Sequence, residues 1–338
     1  MDAFIAKLKQ NRPVAIYTHE ADLDGFMSGH ILNMISRILF GRSPKINYIN
    51  YDMTDKLEFR NKSTIWMSDL NAPALNIKKE DNKLFIIDHH KWETNPEDEN
   101  INYLHDTTKS ATLQCYEVLE KIVSQIANNI ERTSYQNMID SIKELVRLTN
   151  IGDVFIQSNK EDLLNARSYS RFFIEKLKPD VEKAYLILGC KPKDVLFSIY
   201  NNSVYLNYNK SYRKTLEEDK QVYLAQLKDK ENEIYPGIFN LIYEKGDYSL
   251  IFNILMEENP NIKAILTAIK NPKTNKWSLS VRSKDGKTAY YIAKNYFNGG
   301  GHPNAAGAAL PDMFNCEESC SQDIWYYIND KMKLYVDQ

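Results

Sequence analysis

Two dense polar groups could carry chemistry in this chain. His19, Asp22 and Asp24 crowd into Thr18-His19-Glu20-Ala21-Asp22-Leu23-Asp24-Gly25, and Asp88-His89-His90 follows further along. Asp69 lies between them, and Asp153 comes later in Ile151-Gly152-Asp153. Carboxylates and imidazoles without thiolates suit Mn²⁺, Mg²⁺ or similar octahedral ions rather than a tetrahedral sulfur site. The set is large enough for two ions. Two ions about 3.5–4 Å apart can hold one phosphate, activate a water and stabilise the leaving oxygen, and such a pair needs a shared carboxylate. Taken singly, an Asp just after a strand is ordinarily a helix N-cap. Adjacent histidines behind an Asp at the end of a buried strand resist that reading, because burying them unpaired is costly.

The elements that must position these groups are legible as apolar runs. Residues 14–17, 64–67 and 84–87 read as strands, each followed closely by one of the acids, and 46–51 and 101–104 read as two more. Helical or loop segments between them imply parallel pairing through right-handed crossovers. In an open parallel sheet, the carboxyl ends of the strands border the crevice where ligands bind. The apolar positions from Phe26 to Leu39 predict a helix stopped by Gly41. Gly25 lets the backbone turn tightly beside the acids. Ser28 faces either the site or the helix backbone, and Asp52 reads as a turn residue. Further helices are expected over 110–123, capped by Ser110, and over 135–148, where Gly152 permits close approach and aims Asp153 inward. Residues 157–203 read as mostly helical.

A highly charged stretch over 206–234 reads as a solvated connector helix rather than a nucleic-acid arm. This predicts an α/β metal-site domain over 1–200, a helical connector over 201–235, and a smaller mixed α/β substrate-binding domain over 236–338. Strands are expected over 248–255, 263–269 and 277–282, then a helix over 287–296. The run Gly299-Gly300-Gly301-His302-Pro303-Asn304-Ala305-Ala306-Gly307 follows. Its glycines would expose backbone amides to a phosphate beside the His302 imidazole, and Ala305-Ala306-Gly307 would open a helix. The plainer reading is a flexible hairpin loop. Arg282, at the end of its strand, could clamp an anion bidentately.

Composition narrows the class. With 338 residues the default is two domains, and 43% hydrophobic residues are enough for real cores. The 43 basic and 45 acidic residues leave a net charge of −2, which argues against coating long nucleic acid while leaving a small anionic substrate open. The first ten residues read as a short amphipathic helix without a cleavage-like signal. No run approaches the apolar length of a membrane span. Cys115, Cys190, Cys316 and Cys320 are scattered, and Cys316 with Cys320 lacks two further ligands for zinc. A reduced, cytoplasmic setting follows.

The motifs His19-Glu20-Ala21-Asp22-Leu23-Asp24-Gly25, Asp69, Asp88-His89-His90 and Asp153 resemble the four motifs of the DHH phosphoesterase superfamily. The stretch from Gly299 to Gly307 resembles the signature of the DHH-associated C-terminal domain, and no motif covers the tail after Pro311. The resemblance implies an N-terminal parallel-sheet DHH domain joined by a helical connector to a smaller C-terminal domain, with the active site between them and two Mn²⁺ ions, replaceable by Mg²⁺ or Co²⁺. His19, Asp22 and Asp69 would hold one metal; Asp24, Asp69, His89 and Asp153 would hold the other. Asp88 would orient His89, and His90 would meet the scissile phosphate or assist the leaving group. Arg282, Gly300, Gly301 and His302 would bind substrate, and Glu20 would stand just outside the first metal. Tyr17-Thr18-His19, the run from Phe85 to Lys91, Lys109-Ser110-Ala111-Thr112 and Leu145-Val146-Arg147-Leu148 look most like the nanoRNase and oligoribonuclease branch. The implied reaction is hydrolysis of a short oligonucleotide or dinucleotide to nucleoside monophosphates, with no membrane or long duplex as partner and a homodimer compatible. Its rivals are a 3′-phosphoadenosine 5′-phosphate phosphatase, a cyclic or linear dinucleotide phosphodiesterase, a RecJ-like exonuclease, and an inactive nucleic-acid-binding scaffold.

Overall fold

The computed structural model describes residues 1–50, 57, 59, 62–70, 82–92, 95–96, 98–154, 159–200, 202–271, 274–314 and 320–335. Asp52 and Cys316 lie outside the described residues. The chain divides into two compact units, Met1–Lys210 and Ser211–Gln338.

In the first unit, α1 (Asp2–Leu8) precedes β1 (Ala15–His19), α2 (Leu23–Phe40), β2 (Lys45–Ile49), β3 (Thr64–Ser68), β4 (Lys83–Asp88) and β5 (Ile101–His105). Helices α3 (Ala111–Ser124), α4 (Asn129–Asp140), α5 (Lys143–Asp153) and α6 (Lys160–Phe172) follow, then the short α7 (Ala184–Ile187) and α8 (Val195–Ile199). The five strands form one fully parallel sheet in the order β2-β1-β3-β4-β5. Alternation sorts β4 onto two cores: Phe85 and Ile87 join the large helical core, whereas Leu84 and Ile86 pack with Ile49, Ile65, Met67 and Trp92. Burial on both faces explains why this strand is a continuous apolar run. The chain leaves β1 for β2 on one side and returns to β3 on the other. The crevice of such a sheet opens at that reversal, beyond the carboxyl ends of β1 and β3.

Helix α2 starts and stops by local chemistry. Asp22 Oδ1 accepts the Gly25 N–H at 3.0 Å, and Gly41 closes the far end in the left-handed region at φ 67°. The helix expected over 135–148 is instead two, α4 and α5, so Asp153 ends a helix rather than following one. A Cβ at Gly152 would meet the Ala166 Cβ at 3.5 Å, an ordinary contact, so this glycine is not required for close approach.

Helix α9 (Ser203–Leu227) runs across the division in the sequence. Beyond it lie β6 (Glu233–Tyr235), β7 (Ile238–Asn240), α10 (Tyr248–Glu258), β8 (Ala264–Lys270), β9 (Trp277–Ser283), α11 (Thr288–Phe297), β10 (Gly300–His302), β11 (Ala305–Ala309) and α12 (Ser321–Met332). The sheet is mixed, in the order β10-β11-β9-β8-β7-β6, with only β7 and β8 parallel. Helices α11 and α12 share a core with Leu279, Val281, Ala306 and Ala308.

Two expectations fail in this unit. Residues 248–255 are helical: Asp247 caps α10 through the Leu250 N–H, and six consecutive or near-consecutive apolar side chains are buried around the helix. Ala305-Ala306-Gly307 is strand, not helix, because it pairs with β9 on one side and β10 on the other.

Candidate metal centre

His19 is the last residue of β1, and its Nδ1 lies 3.1 Å from Asp22 Oδ2 and 3.8 Å from Asp69 Oδ2. Asp22 thus caps α2 with one oxygen and meets the imidazole with the other. Gly25 makes this corner fit. A Cβ there would sit 2.2 Å from the His19 carbonyl oxygen, so the first turn of α2 can lie against β1 only with glycine. Beneath it, Ser28, Ser68 and Thr18 form a buried hydroxyl network that also bonds the Gly25 carbonyl. Ser28 therefore supports the backbone. Glu20 accepts a hydrogen bond from Asn50.

Asp69 follows β3 in the left-handed region at φ 56°, which Asp tolerates better than most side chains. Its N–H still bonds the Ile87 carbonyl at 3.1 Å, continuing the ladder with β4. Its two oxygens face different partners: Oδ2 is nearest His19, and Oδ1 is 3.2 Å from His89 Nε2. The same His89 nitrogen lies 3.3 Å from Asp153 Oδ2 and 3.8 Å from Asp24 Oδ2.

Asp24 is held by an element the motif does not contain. Its carboxylate accepts the N–H groups of Ala111 and Thr112 at 2.9 and 2.8 Å, and Thr112 Oγ1 donates to its carbonyl. These are the first amides of α3, where the helix end favours negative charge. Ser110 caps that helix by accepting the Leu113 N–H.

Asp88 does not orient His89. Its Oδ1 accepts from His90 Nδ1 at 2.8 Å, and its Oδ2 accepts from the Trp92 indole at 2.6 Å. Both histidines lie beyond the last residue of β4: His89 Nε2 faces Asp69, Asp153 and Asp24, whereas His90 Nδ1 turns back to the Asp88 carboxylate.

Electrostatics follow from burial and crowding. Burial drives the Asp69 carboxyl well above its ordinary range, reinforced by Asp22, Asp24 and Asp153, and burial with Asp24 and Asp22 does the same to Asp153. Burial also raises Asp24 and lowers His89. For Asp22, Asp88 and His90 burial is outweighed: His19 and Gly25 hold Asp22 low, His90 and Trp92 hold Asp88 low, and Asp88 raises His90.

Three groups have donor atoms within 4.8 Å of one another: His19 with Asp22 and Asp69; Asp24 with His89 and Asp153; Asp69 with His89 and His90. Among the described residues, the buried Asp69 Oδ2 and Asp153 Oδ2 accept no hydrogen bond. Orphaned carboxylate oxygens facing imidazoles in a crowded acidic site fit divalent cations, which would satisfy both the oxygens and the charge.

In the second unit, His302, Ala305 and Arg282 stand opposite one another across β10, β11 and β9 and so share a face. Arg282 donates from Nε to Ser249 Oγ at 3.1 Å and lies over the Tyr248 ring. The glycine run is a hairpin rather than an open amide cradle. A Cβ at Gly299, Gly301 or Gly307 would meet a carbonyl oxygen at 2.1, 2.7 or 2.6 Å, so these glycines serve close strand packing, whereas Gly300 has open space around it.

Residues 13–148 match the DHH family, N-terminal domain, and residues 237–332 match the DHHA1 domain, which extends past Pro311 into α12. No curated protein matches the chain. Among solved structures, the fold is similar to exonuclease RecJ bound to manganese, at 13% identity and a TM-score of 0.53, over 99% of this chain and 94% of that one. It is also similar to the DHH domain of a member of the s1p family of ribosomal proteins, at 16% identity and a TM-score of 0.55, over 99% and 90%. RecJ from Thermus thermophilus in complex with Mn²⁺ gives 13% identity and 0.52, over 99% of this chain and 54% of that one. No described helix is long and apolar enough to cross a membrane.

Proposed function

The chain belongs to the DHH phosphoesterase superfamily, carries a DHHA1 domain on its C-terminal side and is a metal-dependent phosphoesterase; from that premise we propose that it uses two Mn²⁺ ions to hydrolyse short oligonucleotides or dinucleotides to nucleoside monophosphates. The observation that carries the two-ion reading is Asp69, whose Oδ2 faces His19 while Oδ1 faces His89. Manganese is the ion bound in the RecJ structure of similar fold.

In this reading His19, Asp22 and Asp69 hold one ion, and Asp24, Asp69, His89 and Asp153 hold the other. Bound divalent ions supply Lewis-acid activation of water and of phosphate oxygens. The protein supplies fixed geometry: the α3 amides keep Asp24 in one orientation, and the strand ends keep the carboxylates converged. His90, hydrogen-bonded to Asp88, places an imidazole beside Asp69 that can stabilise charge on the phosphate or donate a proton to the leaving oxygen. Arg282 and His302, which share a face of the second sheet, would bind the substrate's terminal phosphate or nucleoside with the open Gly300 beside them, while Gly301 keeps the hairpin closely packed.

The test is digestion of end-labelled RNA and DNA of graded short lengths with Mn²⁺, in parallel with Asp69→Ala. Mononucleotide release by the wild type, lost in the folded variant, supports the reading. Release of inorganic phosphate from 3′-phosphoadenosine 5′-phosphate without oligonucleotide cleavage would replace it with the phosphomonoesterase, and inertness on every substrate would replace it with a scaffold.

A further inference from the structure

Beside the centre, at the ends of β4 and β5, lies an arrangement that none of the motifs contains. Asp88 is fully buried, and one of its oxygens accepts the Trp92 indole N–H at 2.6 Å while the other accepts His90 Nδ1 at 2.8 Å. The His105 ring stacks on the Trp92 indole with centroids 4.0 Å apart and planes 8° from parallel. His105 Nε2 lies 2.7 Å from the His90 carbonyl oxygen, and a carbonyl can only accept, so the Nε2–H donates. Asp88 and His105 are themselves register partners across the parallel pair. Gln114 donates to the carbonyls of Asp88 and Asp106, pinning both strand ends to α3. Tyr103 closes the outer side of the indole edge-on at 5.4 Å.

His90 is thus gripped at two points by side chains that do not themselves belong to the centre. Its ring is fixed through Asp88, which Trp92 holds, and its backbone is fixed through His105, which Trp92 stacks against. We propose that Trp92 and His105 are positioning residues for His90, acting together to present its imidazole beside Asp69 in a single orientation. The inference rests on the proposed role of His90 in phosphoester hydrolysis. Neither aromatic residue would meet substrate or metal. Trp92, 9% exposed, is shielded from solvent by the same stack that aims it.

The experiment combines kinetics with ¹⁵N-histidine spectra of the metal-free protein, assigning His90 by its loss in His90→Gln. Trp92→Phe keeps the stack and deletes only the N–H bond to Asp88. It is expected to shift the His90 ring resonances and lower kcat about 10- to 100-fold with KM close to wild type, in a protein whose thermal midpoint falls but which remains folded at the assay temperature. His105→Phe, which keeps the stack without the donor, should do the same, and His105→Gln should recover part of the loss. Combining Trp92→Phe with Asp88→Ala should cost no more than Asp88→Ala alone, because the indole then has no side-chain oxygen to donate to. Unchanged His90 resonances in Trp92→Phe, or losses that multiply in the double variant, would overturn the proposal. A wild type inert on every oligonucleotide would overturn the proposed function instead, and the resonances would still decide this inference.

Discussion

Replacing Gly25 by alanine would place a methyl carbon 2.2 Å from the His19 carbonyl oxygen and 2.9 Å from the His19 Cβ. Both neighbours belong to β1 rather than to the end of a flexible side chain, so the first turn of α2 and the end of β1 must separate by about 1 Å to restore normal contact. Alanine gains roughly 0.5–1 kcal/mol over glycine in a helix. Overpacking a tight site costs typically 1–3 kcal/mol or more, so the clash wins and the variant loses about 1–2 kcal/mol. A displacement near 1 Å at His19 is also enough to cost on the order of 100-fold in turnover. Urea unfolding of the metal-free protein, with Mn²⁺ titration of the folded variant, measures both effects. Gly300→Ala is the control for stability: nothing lies within 4 Å of the added methyl, and the change should stay within about 0.5 kcal/mol. A Gly25→Ala protein as stable as the wild type, with unchanged Mn²⁺ affinity, would refute the reasoning.

Three further outcomes follow from the same geometry. Ser110→Ala removes the α3 cap and should cost about 1 kcal/mol while weakening Mn²⁺ binding, because the amides that hold Asp24 lie in the same turn. Asp69→Asn should abolish hydrolysis yet stabilise the metal-free protein at pH 8: the Asp69 carboxyl is raised by burial, so its contribution to stability is present at acid pH and lost as pH rises through its folded value. Thermal midpoints in chelator at pH 5 and pH 8 read this directly, the gap between variant and wild type widening with pH. His30, partly buried against Phe26, is depressed from 6.5 to about 4 by desolvation, and the Tyr48 hydroxyl lies 3.0 Å from its Nε2. Since the unfolded chain takes up the proton first, stability should fall by up to roughly 3 kcal/mol as pH drops from 6.5 to 4, a loss that urea titrations should find missing in His30→Gln.

The N-terminal sheet was legible because parallel strands buried on both faces leave continuous apolar runs, as in Leu84-Phe85-Ile86-Ile87, and because the acids follow those runs directly. The second unit was harder to read. Tyr248 to Leu255 is apolar enough to pass for a strand, and the signal against it was the capping Asp247 just upstream. Ala305-Ala306-Gly307 has helix-forming alanines, but pairing on both edges overrode that propensity, and the need for Gly307 comes from a carbonyl of Leu279 that no local pattern reveals. At the site, residue types and their order suggested the metal chemistry. Which oxygen faces which imidazole depends on the left-handed turn at Asp69 and on α3, both set by tertiary contacts. Trp92 and His105 went unnoticed because nothing in their spacing from Asp88 marks them as its partners.

The central claim is that Asp69 lies between two cations. Low-temperature electron paramagnetic resonance during Mn²⁺ titration tests it most directly. The account predicts an exchange-coupled pair saturating at two ions per chain, replaced by isolated Mn²⁺ in Asp69→Asn. A single uncoupled ion in the wild type, or a coupled pair that survives in Asp69→Asn, would contradict it.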